Sequence, residues 1–416
     1  MDNLEVIEIS RQLNFPIRAL VNTQFNQTYA IAMVDFGSLD TFADIPAGAA
    51  HFLEHKLFAK PGYDSSQRFA QFGADANAFT SYTKTAFLFK TIGHVSENLT
   101  TLLDLISHPY FTPQNVAREQ EIIAQEIQMY ADMPDWILEQ TTLNNLFPDD
   151  PIAQDIAGSI SSIKQITPAT LQTIYQKYYN PANLRLYLAG NVDVKQVQDC
   201  ILNLAQQNTS LQQLVQRQGA SPIRMQPQLN AVKNQQIIHF KAQRPHLMIG
   251  LRVDTADFDL TTMILLQNHL DLLLELIFGD MSEFHQNLSN DGLLDDSFGY
   301  NVIVERQYAF ILISGETQHP QELAAQIEEY LFHDGFHQEL TADNMAIIRR
   351  DSIGSYLFAQ DYLENLATEA AELDFYGVEI NQVPQLLSQV QVQDLISLAT
   401  KVLQPHNFTK TILYPE

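Results

Sequence analysis

The chain has 416 residues, 45% hydrophobic and 17% charged, a formal net charge of −26 and a single cysteine. That length holds two to three domains, each with its own core, and the composition excludes a disordered polymer. The excess of acid argues against nucleic acid or an anionic membrane as partner and suits basic peptides, although surface acid also serves solubility alone.

Cys200 stands alone, in a helix-like run, so an internal disulfide and a thiolate metal cluster within one chain are excluded. No apolar run approaches the roughly 18 residues needed to span a bilayer. The start, Met1-Asp2-Asn3-Leu4-Glu5, is acidic without an apolar core and does not read as a targeting signal. The expected compartment is therefore the cytoplasm.

In chain order, strands are expected at 17–22, 28–37, 74–80, 85–92 and 184–192, and helices at 48–60, 95–107, 115–132 and 168–179. This irregular alternation describes an α+β layer rather than a parallel doubly wound sheet.

The first helix carries His51-Phe52-Leu53-Glu54-His55. Residues three and four apart share a helical face, so His51, Glu54 and His55 can enter one pocket. Two imidazoles at i and i+4 make a pair of zinc ligands, and a glutamate between them can take a proton from water. Glu precedes the second His directly, which is the inverted H-x-x-E-H order. The plainer reading is an amphipathic helix with solvated histidines. Against it, Gly48-Ala49-Ala50 permits close packing and Phe52, Leu53, Leu57 and Phe58 supply surface to bury the helix. Buried imidazoles and a buried carboxylate are costly unless partnered.

Zinc needs a third protein ligand if one position is to stay open. The breaker-free run from Arg118 to Met129 offers Glu119 and Glu126, two turns apart on one face, with Glu121 pointing elsewhere. A solvated acidic stripe is the other reading of the same pattern.

With these two motifs in this order, the chain resembles the pitrilysin/insulinase family of zinc metallopeptidases, the inverzincins. Within that family it resembles the short, processing-peptidase-like branch, and in particular the zinc-site member of paired peptidases of Gram-positive bacteria. The resemblance implies Zn2+ held by His51, His55 and Glu126, with Glu54 as catalytic base and Glu119 supporting the ligands. The separation 126 − 55 = 71 is slightly shorter than usual in the family and implies a trimmed loop. The segment Gly73 to Phe89 reads as two adjacent strands and resembles the family's NAxT edge strand, which makes Asn77, Ala78 and Phe79 candidates for contact with substrate. From the residues alone, an ordinary hairpin fits equally.

Ten glutamines, with Gly219, Pro222 and Pro227, fill 206–236, which reads as a linker. Beyond it the chain echoes its first half. The runs from Leu171 and from Leu395 share a helix, Pro-x-Asn and a strand, with Pro181 and Pro405 offset by 224. The run around Glu275 stands where the zinc helix should be, with leucines for both histidines. The expected division is a zinc-bearing catalytic domain at 1–205, the linker, and a homologous inactive domain at 237–416. The resemblance implies two α/β-roll domains, each a mixed, mainly antiparallel sheet with helices packed on one face, forming a clam-shell.

Active family members supply an Arg and, seven residues later, a Tyr from the second half; here the matching positions are Leu293 and Tyr300. Arg349 and Tyr356 share the spacing but lie on the helix equivalent to that of Glu126. The missing Arg implies a homodimer, or a heterodimer with a zinc-less homologous subunit carrying an Arg/Tyr pair. The expected function is a zinc metalloendopeptidase acting on peptides or unfolded segments in an enclosed chamber, with Tyr300 against the bound peptide. The alternatives are a non-proteolytic zinc-binding assembly subunit, or a maturation factor for one protein or peptide.

Overall fold

A computed structural model describes residues 5–10, 13–41, 45–222, 227, 230–256, 258, 260–333 and 335–416. Residues 1–4, on which the reading of the N-terminus rests, lie outside the described residues. The strands are β1 (Glu5–Ser10), β2 (Ile17–Val21), β3 (Thr28–Val34), β4 (Ala59–Lys60), β5 (Tyr63–Asp64), β6 (Asp75–Thr80), β7 (Thr85–Thr91), β8 (Leu184–Gly190), β9 (Gln235–Phe240), β10 (His246–Val253), β11 (Gly299–Glu305), β12 (Tyr308–Glu316) and β13 (Phe408–Pro415). The helices that position the site are α1 (Ala49–Phe58), α2 (Ser65–Gln71), α3 (Val95–Ser107), α4 (Pro113–Ala131) and α5 (Pro134–Leu146).

One sheet runs β1-β2-β8-β3-β7-β6 and the other β11-β12-β10-β13-β9. Read from the opposite edge, the second repeats β2-β8-β3-β7-β6 of the first. In both, the first two strands are parallel (β2 with β8, β9 with β13) and the remaining neighbours antiparallel. The repetition expected from two short sequence echoes thus extends to the whole order and polarity of the sheets.

The central strand β3 is buried along its whole length. Ala30, Ala32 and Val34 join the core cluster that includes Phe52, Leu53 and Leu57 of α1 and Leu99, Leu102 and Leu103 of α3. Tyr29, Ile31 and Met33 alternate with them and are equally buried. Helix Leu363–Asp374 packs on β3 and β8, and its Leu363, Leu366, Ala367, Ala370 and Ala371 are buried. Asp374 accepts from Arg18 and pairs with Arg185, while the Arg185 guanidinium lies 4.4 Å from the Phe375 ring centre. A strand covered on both faces reads as a continuous apolar run rather than an alternating one.

The compact units do not follow the expected division. One comprises Met1–Ile127, Asp155–Ile223 and Leu357–Asn381, and the other Gln128–Gln154, Arg224–Tyr356 and Gln382–Glu416. The reason is an exchange of equivalent helices. α5, which follows α4, packs on β10 and β13 of the second sheet, with Thr142 Oγ1 donating to Thr411 Oγ1 at 2.8 Å. Leu363–Asp374, which follows the second copy's long helix Ala342–Ala359, packs on the first sheet.

The glutamine-rich stretch also carries structure. Thr209–Val215 is a helix capped by Asn208, with Leu211 and Leu214 fully buried. Arg217 then donates to the carbonyls of Tyr175 and Tyr179 at the end of helix Pro168–Tyr178. Two leucines three apart suffice to dock one short helix, but they are too few to register as a period.

Candidate metal centre

The helix with the two histidines begins at Gly48, whose φ of 86° lies in the left-handed region. A Cβ there would sit 2.3 Å from the Ala157 carbonyl oxygen, so glycine sets how closely the start of α1 approaches that loop. Ala49, Ala50, Phe52, Leu53 and Leu57 are fully buried. Just after α1, Lys60 Nζ donates to the carbonyls of Asp104, Leu105 and His108 around the end of α3. We expect Gly48→Ala to destabilise the fold by at least about 1–2 kcal/mol from its φ alone, and more from the clash, read as a lower urea midpoint of the metal-free protein.

His51 and His55 stand on one face of α1, with ring centres 4.5 Å apart. α4 brings Glu119 and Glu126 against them, with Val116, Glu119 and Ile123 forming its buried stripe. His51 Nε2 lies 3.8 Å from Glu126 Oε1 and His55 Nε2 lies 3.7 Å from Glu126 Oε2. Those separations exceed a hydrogen bond and approach the spacing of about 3.3 Å between ligands near 2.0 Å from one tetrahedral zinc. One ligand atom from each of His51, His55 and Glu126 lies within 4.8 Å of the others, and among the described residues this is the one such cluster.

Glu119 is not a donor to that point. Its Oε1 accepts from His55 Nδ1 at 3.1 Å and its Oε2 from the buried Lys56 Nζ at 2.9 Å. Burial would raise the Glu119 carboxyl, but the hydrogen bonds from His55 and Lys56 hold it below its ordinary value. With its Nδ1 proton held by Glu119, His55 has Nε2 left as the nitrogen that could accept a metal.

Burial, then the neighbouring His55, lowers the His51 imidazole to about 4, so it is neutral and ready to ligate at pH 7. For His55 burial acts downward, but Glu119, Glu54 and Glu126 together raise it above the ordinary histidine value. Glu54 is 6% exposed, and its Oε2 accepts from Thr80 Oγ1 at 2.8 Å. Burial raises its carboxyl against the opposing pull of Thr80 and His55. An upward-shifted carboxylate beside a metal position is matched to general-base work near neutral pH. Two imidazoles, one carboxylate and no thiolate suit zinc with an open fourth position.

Among the described residues β6 pairs with β7 alone, which makes it an edge strand. Asn77 and Phe79 lie on one of its faces and Ala78 and Thr80 on the other, the side on which Thr80 meets Glu54. A cavity of about 760 Å³ is lined by Glu54, His55 and Glu119 together with Ala76, Asn77 and Ala78 of β6. Of the first-half candidates, Glu54, His55, Glu119, Asn77 and Ala78 line this cavity, Phe79 stands on the strand beside it, and His51 and Glu126 are joined to the group through their cluster with His55. Lys56 and Thr80 join them unannounced: Thr80 is the fourth residue of the NAxT segment, while Lys56 carried no signal beyond its place next to the motif.

The second-half candidates have other employment. Tyr300, on β11, donates to Glu275 Oε2 at 2.5 Å, and burial together with that carboxylate pushes its phenol well above the ordinary value. Leu293 is 3% exposed. Its N–H bonds Leu288 O, and the Gly292 N–H bonds Ser289 O, at 2.9 and 3.0 Å, which is a Schellman ending for helix Glu283–Asn290. An apolar residue at that position packs back on the helix it terminates. Arg349 donates to the Val390 carbonyl at 2.6 Å. Leu272 and Leu276 of helix Leu260–Phe278 stand 221 residues after His51 and His55, as Glu275 does after Glu54, and both leucines are buried.

The sequence matches the description "Insulinase (Peptidase family M16)" over residues 18–159 and "Peptidase M16 inactive domain" over 165–341. It is 33% identical over 411 residues to the uncharacterized zinc protease YmfH of Bacillus subtilis (strain 168), covering 94% of this chain and 92% of that one. A crystal structure of a putative M16-like peptidase from Alicyclobacillus acidocaldarius superposes with a TM-score of 0.86 at 25% identity, covering 99% of this chain and 98% of that one. A protease from Helicobacter pylori shares the fold, with a TM-score of 0.79 at 15% identity over 99% of each chain.

Proposed function

The chain belongs to the insulinase family of peptidases, M16, and from that premise we propose that it is a zinc endopeptidase for peptides and unfolded segments. The observation that carries this reading is the convergence of His51, His55 and Glu126 beside a buried Glu54 at the end of an edge strand. Zinc on those three residues would polarise the scissile carbonyl and make water more acidic. Glu54 takes the proton of the attacking water and returns it to the leaving amine nitrogen. The free edge of β6 receives substrate as an added strand, with Asn77, Ala78 and Phe79 beneath it, which selects extended backbone over side-chain identity.

Tyr300 is held by Glu275 and Leu293 caps a helix. A partner subunit bearing an Arg/Tyr pair would supply the donors that stabilise the developing oxyanion. The same two residues favour the second reading, a non-proteolytic zinc-binding assembly subunit. A quenched peptide library separates the readings when incubated with the zinc-loaded chain, alone and with whatever co-purifies. Cleavage in either arm supports the peptidase; stoichiometric zinc without cleavage in both arms overturns it. A cytoplasmic site of action belongs to this proposal. Among the described residues no single helix is long and apolar enough to cross a membrane.

A further inference from the structure

The geometry points to Thr80 as the positioning residue that orients the Glu54 carboxylate, tying the general base to the strand on which peptide docks. The inference rests on the reading of Glu54 as the base. The bond from Thr80 Oγ1, at 2.8 Å, is the only hydrogen bond Glu54 makes among the described residues. The terminal torsion of a glutamate is broad and two-fold, so helix α1 alone does not decide which oxygen faces the metal position. Thr80 does, because its branched side chain is stiff about χ1 and its backbone is held on several sides.

Those holds are specific. Thr80 pairs with Thr85 as the last pair between β6 and β7, and Ser81 N–H donates to Lys84 O at 2.8 Å. The carbonyls of Ser81 and Tyr82 accept from the N–H groups of Ser38 and Leu39 at 3.1 and 2.8 Å. Lys84 Nζ lies 2.5 Å from Asp35 Oδ1. Gly37 runs against the same turn: a Cβ there would lie 2.5 Å from Thr83 N and 2.6 Å from Ser81 O, so any larger residue would push the turn away. The hydroxyl is thus delivered to Glu54 by a braced hairpin, and β6 serves both as docking edge and as the arm that aims the base.

The test compares Thr80→Val, which keeps the shape and loses the hydroxyl, with Thr80→Ser, which keeps the hydroxyl. Each is purified with zinc and any required partner. Thr80→Val retains full zinc and an unchanged KM while kcat falls about 10–100-fold, the usual cost of losing an orienting partner beside a metal site; Thr80→Ser recovers most of it. Crystal structures of the zinc-free proteins show one Glu54 carboxylate orientation in the unaltered chain and in Thr80→Ser, and a rotated or divided one in Thr80→Val. Unchanged kcat, a loss confined to KM or zinc content, or an unmoved Glu54 overturns the proposal. If Thr80→Val does not fold, Thr80→Ala is put through the same comparison. If the unaltered chain cleaves nothing, the peptidase reading fails by itself, and the Glu54 orientation still decides the role of Thr80.

Discussion

Glu54→Gln keeps zinc at the level of the unaltered chain and loses about 10²–10⁴-fold in peptide hydrolysis, the usual contribution of a general base. Three properties of the site set this outcome. Glu54 is absent from the cluster of converging metal-ligand atoms, which draws on His51, His55 and Glu126, so its charge is not needed to hold the ion. Glutamine has the same shape and its amide oxygen still accepts from Thr80, so α1 and β6 keep their places. What disappears is the group able to take a proton from water. Metal analysis and turnover on the same preparation separate the effects. Hydrolysis retained in the zinc-loaded variant would sink the assignment of the base, and zinc lost with it would make Glu54 a ligand.

The second large effect is on the metal itself. Glu126→Gln removes the only anionic donor of the cluster and is expected to lose stoichiometric zinc and hydrolysis together. The pH dependence of binding then distinguishes the two histidines. Zinc binds neutral imidazole, so a histidine protonated in the metal-free protein must release its proton on binding. His51, lowered to about 4 by burial, is already neutral throughout the useful range. His55, raised above its ordinary value by Glu119, Glu54 and Glu126 against the effect of burial, is not. Below the His55 value and above the carboxylate range, zinc affinity therefore falls about tenfold for each unit the pH drops, with one proton released; two titrating histidines would give about a hundredfold. Titration calorimetry in buffers of different ionisation enthalpy counts the proton directly. It is cleanest in the Glu54→Gln protein, where the neighbouring carboxyl contributes none. A slope of two protons would contradict the depressed state of His51.

Much of the site was readable because it is local. The i, i+4 spacing of His51 and His55 states which atoms share a helical face, and the seven-residue step from Glu119 to Glu126 does the same for α4. The strands at 85–91 and 184–190 and the helix at 95–107 begin and end within two residues of expectation, because their Thr/Tyr/Phe or leucine-rich patterns are contained within a few turns. Less legible were the partners that depend on sheet register. Thr80 reaches Glu54 over 26 residues of chain, and Lys56 reaches Glu119 over 63. Neither separation has a periodic signature, since each is set by how far one strand or helix is carried before it packs.

Leu293 shows the opposite limit. Matched to the family's Arg/Tyr pair, Leu293 stands where an arginine is expected; in place, it is the apolar residue that closes a Schellman ending after Gly292. The glutamine-rich stretch showed the same thing in another form, with Leu211 and Leu214 buried inside a segment whose composition pointed to a linker.

By itself, then, the sequence determined the chemistry available: two imidazoles and a carboxylate on one helix, a pair of carboxylates on another, and leucines at the repeated positions that exclude a second metal centre of the same kind there. Tertiary structure alone decided how that chemistry is aimed. It tied Glu54 to the end of an edge strand, gave Glu119 to His55 and Lys56, and exchanged α5 and Leu363–Asp374 between the sheets, the latter covering β3. The physical reason is that side-chain type and helical period act within a few residues, whereas orientation and burial are settled by contacts between segments that the chain brings together only on folding.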